Sequence, residues 1–204
     1  MKAKCLMLDV DGVLVDGRPK DGQHWKTDLL DDVGISPVEL SRAFFKVEWR
    51  DIVEGRKDLV PTLEATLQAI ASPVRAEDLI AYWFENDSRV VNHVLSDCKA
   101  AREAGIPVFL ATNQEHERAN YLMETMGLGS AVDGIAYSAH AGFQKPQPEF
   151  YSYAQSLAGL QPGDLLLVDD TPANIEGATE AGWAAVLWDG SEKLSEILRR
   201  SIPQ

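Results

Sequence analysis

The chain has 204 residues, enough for one large domain or a domain carrying a small insert, and its 45% apolar content supports a sizeable core and excludes wholesale disorder. A formal charge of −13 excludes a nucleic-acid surface, which needs clustered Lys and Arg, and every apolar run falls short of the ~20 residues of a membrane helix. Neither nucleic acid nor membrane is therefore an expected partner, whereas a small anionic substrate stays open, because a bound metal ion reverses the local field.

The predicted elements alternate. Residues 4–10, KCLMLDV, read as a fully buried strand. From about 17 to 90 no buried strand follows. Instead there are three helical patterns: Leu40, Phe44 and Val47; Leu59, Leu63, Leu67 and Ile70; and Leu79, Ile80, Trp83 and Phe84. So long a stretch exceeds a βα loop and reads as a helical insert over the carboxyl ends of the strands. A helix over 90–104 stops at Gly105, and IPVFLAT (106–112) is a second buried strand. A helix over 114–126 ends at Gly127, and GIAYSA (134–139) is a weaker strand. Helix 148–158 starts beside Pro146 and Pro148, and DLLLVDD (164–170) is another buried strand. Helix 172–181 opens on Pro172 and closes at Gly182. AAVLW (184–188) is the last buried strand, and a helix over 191–201 ends the pattern.

Strand, helix and parallel strand in succession predict right-handed crossovers and a doubly wound, Rossmann-like α/β fold. The expected division is a core domain of residues 1–16 plus 91–204 and a helical cap of residues 17–90. Cys5 and Cys98 fall in a core strand and a core helix and read as buried thiols. MKAKCLMLDV has too short an apolar stretch for a secretory signal. A cytoplasmic setting is the expectation.

Chemistry gathers at strand ends. The first strand ends at Asp9 and Asp11, the second at Thr112 and Asn113, the fourth at Asp169 and Asp170, and Lys145 lies just before a helix. A parallel sheet brings all of them to one crevice. Carboxylates so crowded repel one another unless a cation is present. Hard oxygen ligands in small number suit Mg²⁺, completed by a substrate phosphate, and the absence of His or Cys at these ends argues against zinc. A metal-bound carboxylate beside a lysine and a hydroxyl points to phosphoryl transfer. One Asp attacks phosphorus, Lys⁺ and metal neutralise its oxygens, a Thr hydroxyl holds the phosphate, and a second carboxyl moves the proton.

LDVDGVLVDG, FLATNQ, FQKPQPEF and LLVDDTPANIEGATEAG resemble, in this order, the four motifs of the haloacid dehalogenase superfamily. The position of the insert resembles that of a helical type-1 cap. The resemblance implies an α/β hydrolase using Mg²⁺. By it, Asp9 is the nucleophile and Asp11 the acid/base, whose backbone carbonyl joins the metal shell. Thr112 and Asn113 hold the phosphate, Lys145 pairs with the nucleophile and the phosphate, and Asp169 and Asp170 complete the metal site together with Asp9 and Asp11. Asn174 supports the acidic loop. The dehalogenases lack an acid two residues after the nucleophile, and an alkoxide leaving group needs the proton that a halide does not. Asp11 therefore favours a phosphatase acting on a small-molecule phosphate ester through an aspartyl-phosphate. A sugar-phosphate mutase and a non-catalytic, receiver-like phosphate-binding module are the alternatives.

Elsewhere the signals are weaker. His24, His93, His116 and His140 show no ligand spacing and read as surface or packing residues. Trp25 and Trp49 read as core, with the option of touching substrate. Arg42, Lys46, Arg50, Arg56 and Lys57 read as a solvated cap face that could also steer an anion. Oligomeric state leaves no mark in the sequence.

Overall fold

The computed structural model describes residues 3–202; residues 1, 2, 203 and 204, which the expected core domain includes, lie outside it. Five strands, β1 (Cys5–Leu8), β2 (Val108–Thr112), β3 (Gly134–Tyr137), β4 (Leu165–Asp169) and β5 (Ala184–Leu187), form one parallel sheet in the order β3-β2-β1-β4-β5. The chain starts in the centre, builds outward through β2 and β3, then returns to the other flank. The strand order thus reverses beside β1, where α/β sheets bind ligands outside the carboxyl ends of their strands.

The period of two along β1 feeds two cores. Leu6 and Leu8 enter one cluster with Val94, Leu110, Val168 and Leu198, while Cys5 and Met7 enter the opposite one with Phe150, Tyr151, Leu167 and Trp183. Each fully buried leucine contributes about 1.5–3 kcal/mol. Burial also pushes both thiols, Cys5 and Cys98, up to about 12, so they remain protonated packing groups. The segment 184–188 departs from expectation. Ala184 and Leu187 are exposed because β5 is an edge strand with a partner on one side only.

Eleven helices accompany the sheet among the described residues. In the insert these are α1 (Leu29–Val33), α2 (Pro37–Leu40), α3 (Trp49–Val53), α4 (Leu59–Ala69) and α5 (Ala76–Glu85). Around the sheet are α6 (Asn92–Glu103), α7 (His116–Asn120), α8 (Ser138–Ala141), α9 (Pro148–Ala158), α10 (Pro172–Glu180) and α11 (Leu194–Ser201). The insert has its own core, in which Leu29, Leu40, Phe44, Leu63, Leu79 and Trp83 pack together. α2 runs on into a wider π-type turn, Ser41–Phe45, closed by the Lys46 N–H on the Ser41 carbonyl (3.0 Å). The extra residue shifts the helical phase, so Val47, expected on the buried stripe, is exposed. Gly55 of the insert rests on the Ala139 carbonyl of α8, too close to admit a Cβ (2.2 Å). No described helix is long and apolar enough to cross a membrane.

Candidate active site

The segment after β1 turns back at once. The Val10 carbonyl accepts from the N–H groups of Val13, Leu14 and Val15 (3.2, 2.8 and 2.9 Å), and Gly12 N–H reaches the Val15 carbonyl (2.8 Å). Gly12 takes φ +78°, and a Cβ there would stand 2.1 Å from Asp170 Oδ2. Glycine lets the β1 loop pass directly beneath the Asp170 carboxylate, which any Cβ would push aside. Asp9 N–H donates to the Val168 carbonyl (3.0 Å), which extends the sheet pairing and sets Asp9 beside Asp169.

Lys145 organises the floor. It is buried, and its Nζ donates to Asp169 Oδ2 (2.5 Å), to the Ala111 carbonyl (2.7 Å) and to Asp9 Oδ1 (2.9 Å). Asn113 fixes the backbone on either side of it, accepting from Lys145 N–H (2.8 Å) and donating to the Lys145 carbonyl (3.0 Å). Asp169 also accepts from Asn174 Nδ2 (3.0 and 3.1 Å) and from Thr171 N–H (2.9 Å). Asp9 Oδ1 holds both Lys145 and the Val10 N–H (2.8 Å), which leaves Oδ2 for the cleft. Burial disfavours a charged lysine, but Asp9 and Asp169 outweigh it and hold the Lys145 pKa above the ordinary value. Burial, aided by repulsion from Asp169 and Asp11, pushes Asp9 up despite Lys145.

Asp11 occupies a different environment. Gln114 Nε2 donates to its Oδ2 (2.6 Å), and desolvation of the carboxyl, opposed chiefly by Arg118, raises its pKa to about 6. Asp11 is exposed as a residue, whereas Arg118 is buried. It bonds the Phe84 carbonyl (3.4 Å) and the Asp87 carbonyl at the end of α5 and lies over the rings of Phe84 and Tyr121 (5.2 and 5.5 Å). The α7 helix of the core is thereby tied to the insert. Glu115 caps α7 by accepting from Glu117 and Arg118 N–H, and burial pushes its pKa up to about 9.

A cleft of about 360 Å³ opens over these groups, lined by Asp9, Asp11, Thr112, Lys145, Asp170 and Asn174 among others. The carboxylates of Asp9, Asp169 and Asp170 each offer an oxygen within 4.8 Å of the others. Three acids against one lysine leave a local deficit of positive charge, and their all-oxygen donor set fits a hard divalent cation. Asp170 is the exposed member, whereas Asp169 is buried and shares its oxygens with Lys145, Asn174 and Thr171. The Asp11 carboxylate stands outside this trio and turns to Gln114.

The strand-end residues expected from sequence, Asp9, Asp11, Thr112, Asn113, Lys145, Asp169 and Asp170, thus lie around one cleft, with Asn113 and Asp169 serving Lys145. Gln114, Glu115 and Arg118 were not anticipated, since polar residues following a strand look like an ordinary helix start. Among the cap cations, Arg50, Arg56 and Lys57 are occupied by Glu48, Asp51 and Glu54. Trp25 and Trp49 both pack on Trp83 (5.0 and 5.5 Å) inside the insert.

A family model described as haloacid dehalogenase-like hydrolase matches residues 3–182. The N-acylneuraminate-9-phosphatase of Homo sapiens is 26% identical over 99 residues, covering 48% of this chain and 40% of that protein. The N-acetylmuramic acid 6-phosphate phosphatase of Pseudomonas aeruginosa is 26% identical over 187 residues, 89% of this chain and 80% of that one. The chain spans less than half the length of several curated relatives it matches, the human one included. A HAD family enzyme from Bacteroides thetaiotaomicron, solved as a magnesium complex, shares the fold with a TM-score of 0.79 at 18% identity, covering 98% of this chain and 100% of that one.

Proposed function

The chain belongs to the haloacid dehalogenase-like hydrolases, and from that premise we propose that it is a magnesium-dependent phosphomonoesterase acting on a small phosphorylated metabolite. Residues 17–90 serve as its cap and residues 1–16 plus 91–204 as its catalytic core. The observation that carries the reading is the division of labour between two aspartates of the cleft, Asp9 buried and Asp11 exposed. Asp9 is gripped through Oδ1 by Lys145, with Oδ2 left for attack, and Asp11 is steadied by Gln114 with its pKa raised to about 6. A halide leaving group would give Asp11 nothing to do.

Asp9 Oδ2 attacks phosphorus and forms an acyl phosphate as the ester P–O bond breaks. Asp11 gives its proton to the departing alkoxide and then takes one from the water that hydrolyses the acyl phosphate, regenerating Asp9 and releasing inorganic phosphate. Lys145 holds Asp9 in line and offsets charge on the phosphoryl oxygens, and the Thr112 hydroxyl lies at the cleft wall to hold one of them. Mg²⁺, held by Asp9, Asp170 and the neighbouring Asp169, would supply further neutralisation of that charge. The phosphatase names of the relatives and the magnesium in the Bacteroides structure support the same assignment.

Purified protein with Mg²⁺ is expected to hydrolyse members of a panel of sugar phosphates, nucleotides and phospho-acids, EDTA to stop it, and Asp9→Asn to abolish it. Absence of turnover across the whole panel would sink the reading, and full activity in Asp9→Asn would rule out the aspartyl-phosphate.

A further inference from the structure

A second hollow, of about 350 Å³, adjoins the cleft on the Asp11 side. It shares Asp11 and Gly12 with the cleft, and Asp16, His24 and Asp87 form much of its remaining wall. If Asp11 protonates the leaving oxygen, the leaving group must lie within reach of Asp11 and away from Asp9, which is where this hollow opens.

Its lining carries three carboxylates and one imidazole, and no Lys or Arg. Three cations stand near the hollow but outside its lining, and of these Lys26 holds its Nζ over the rings of Phe45 and Trp25 (3.8 and 5.0 Å). Arg89 bonds the Asp16 carboxylate (2.7 Å) and carbonyl (2.7 Å), and Arg118 is committed to the carbonyls of Phe84 and Asp87. A leaving group bearing its own carboxylate would meet the three acids of the lining directly. A hydroxylated neutral one would find acceptors in Asp16 and Asp87.

His24 supplies the donor. Its Nδ1 accepts from Lys26 N–H (3.1 Å), which assigns the proton of the neutral ring to Nε2. The ring stacks on Trp25 (5.9 Å, 22° between planes), and Trp25 in turn stacks on Trp83 (5.0 Å) inside the insert. The imidazole is thus mounted on a rigid aromatic base at the edge of the hollow. Sequence alone made His24 a surface or packing residue, because a lone histidine has no spacing signal.

We propose that this hollow is the leaving-group subsite, that it takes a neutral polyhydroxylated group such as a sugar or sugar alcohol, and that His24 Nε2–H donates to one of its hydroxyl oxygens. The proposal rests on the phosphatase reading and deepens it. The experiment compares kcat/KM on a hexitol phosphate, on phosphoglycolate and on acetyl phosphate for the wild type, His24→Ala and His24→Gln. The wild type should favour the hexitol phosphate over phosphoglycolate. His24→Ala should lose about tenfold on the hexitol phosphate, mainly through KM, and far less on acetyl phosphate, which has no hydroxyl to receive the bond. His24→Gln, which can carry an N–H to a similar place, should recover part of the loss. Equal losses on the hexitol phosphate and on acetyl phosphate, or none on the hexitol phosphate, would overturn the role of His24, and a preference for phosphoglycolate would overturn the substrate class. Wild-type hydrolysis of acetyl phosphate or of other panel members without the hexitol phosphate would defeat the subsite and spare the phosphatase reading, whereas inactivity on these three compounds and on the whole panel would defeat both.

Discussion

Gly12→Ala isolates what the β1 loop does for the acidic cluster. The new Cβ would lie 2.1 Å from Asp170 Oδ2 and 2.9 Å from its Cγ. An unstrained carbon–oxygen contact is about 3.3 Å, so the carboxylate must retreat by roughly 1.2 Å or rotate away. Asp170 is exposed and can yield, which keeps the cost to the fold small. The backbone, at φ +78°, adds about 1 kcal/mol for an alanine in the left-handed region. For a chain of this size that is about 2–4 °C in Tm. The functional cost is larger, because a displacement near 1 Å at a reacting centre is worth about 10²-fold. Activity titrated with Mg²⁺, alongside a thermal melt, separates the two. The expected result is a much weaker apparent Mg²⁺ affinity or a large loss of kcat/KM in a protein that melts within a few degrees of the wild type. Unchanged Mg²⁺ dependence and activity would show that Asp170 need not sit over Gly12, and a collapsed Tm would show that the contact is structural.

Lys145→Met removes the one cation from Asp9 and Asp169 and should destabilise the metal-free protein by on the order of 3 kcal/mol, read by urea denaturation; an unchanged midpoint would mean that the two carboxyls do not need the ammonium. Asp11→Asn should depress turnover of alkyl phosphates by about 10²–10⁴-fold and that of acetyl or aryl phosphates much less, since good leaving groups need little protonation; equal losses would contradict a proton donor. Glu115 tests pH linkage. Its pKa is raised by burial to about 9 from 4.5, so between those values the folded chain holds a proton that the unfolded chain has lost, and stability falls as pH rises through that window. Glu115→Gln should flatten that fall by up to ~1.4 kcal/mol per pH unit, measured as unfolding free energy across pH 5–9, and an unaltered slope would mean that Glu115 is ionised in the fold.

The parallel core was legible because buried strands leave an unmistakable mark: CLML and LLLV are apolar on both faces, as only strands covered by helices on either side can be. The same rule misjudged AAVL, since an apolar run does not say whether a strand has one neighbour or two. The wide turn at Ser41–Phe45 left no mark, because the buried Leu40 and Phe44 stand at the spacing of an ordinary helix. At the site, the strand ends announced the acids, and parallel topology converged them. Which acid does what depends on partners far away in sequence. Asp9 and Asp169 face Lys145 while Asp11 faces Gln114, and nothing in LDVDG alone distinguishes them.

That difference in partners is also what makes the two aspartates chemically unlike. Asp9 is buried and Asp11 is exposed as a residue, and desolvation of the carboxyl raises the pKa of each. For Asp9 the nearest compensation is an ammonium that favours its anion, in a cluster whose acids outnumber it and so demand a further cation. For Asp11 the direct contact is a neutral amide, which can orient a carboxyl in either protonation state, and the nearest cation is an arginine committed to the insert. A nucleophile must be an anion throughout, and a proton carrier must exist in both forms. Spacing by two residues puts the pair at one strand end, and Lys145 and Gln114, arriving from different crossovers of the sheet, assign the roles.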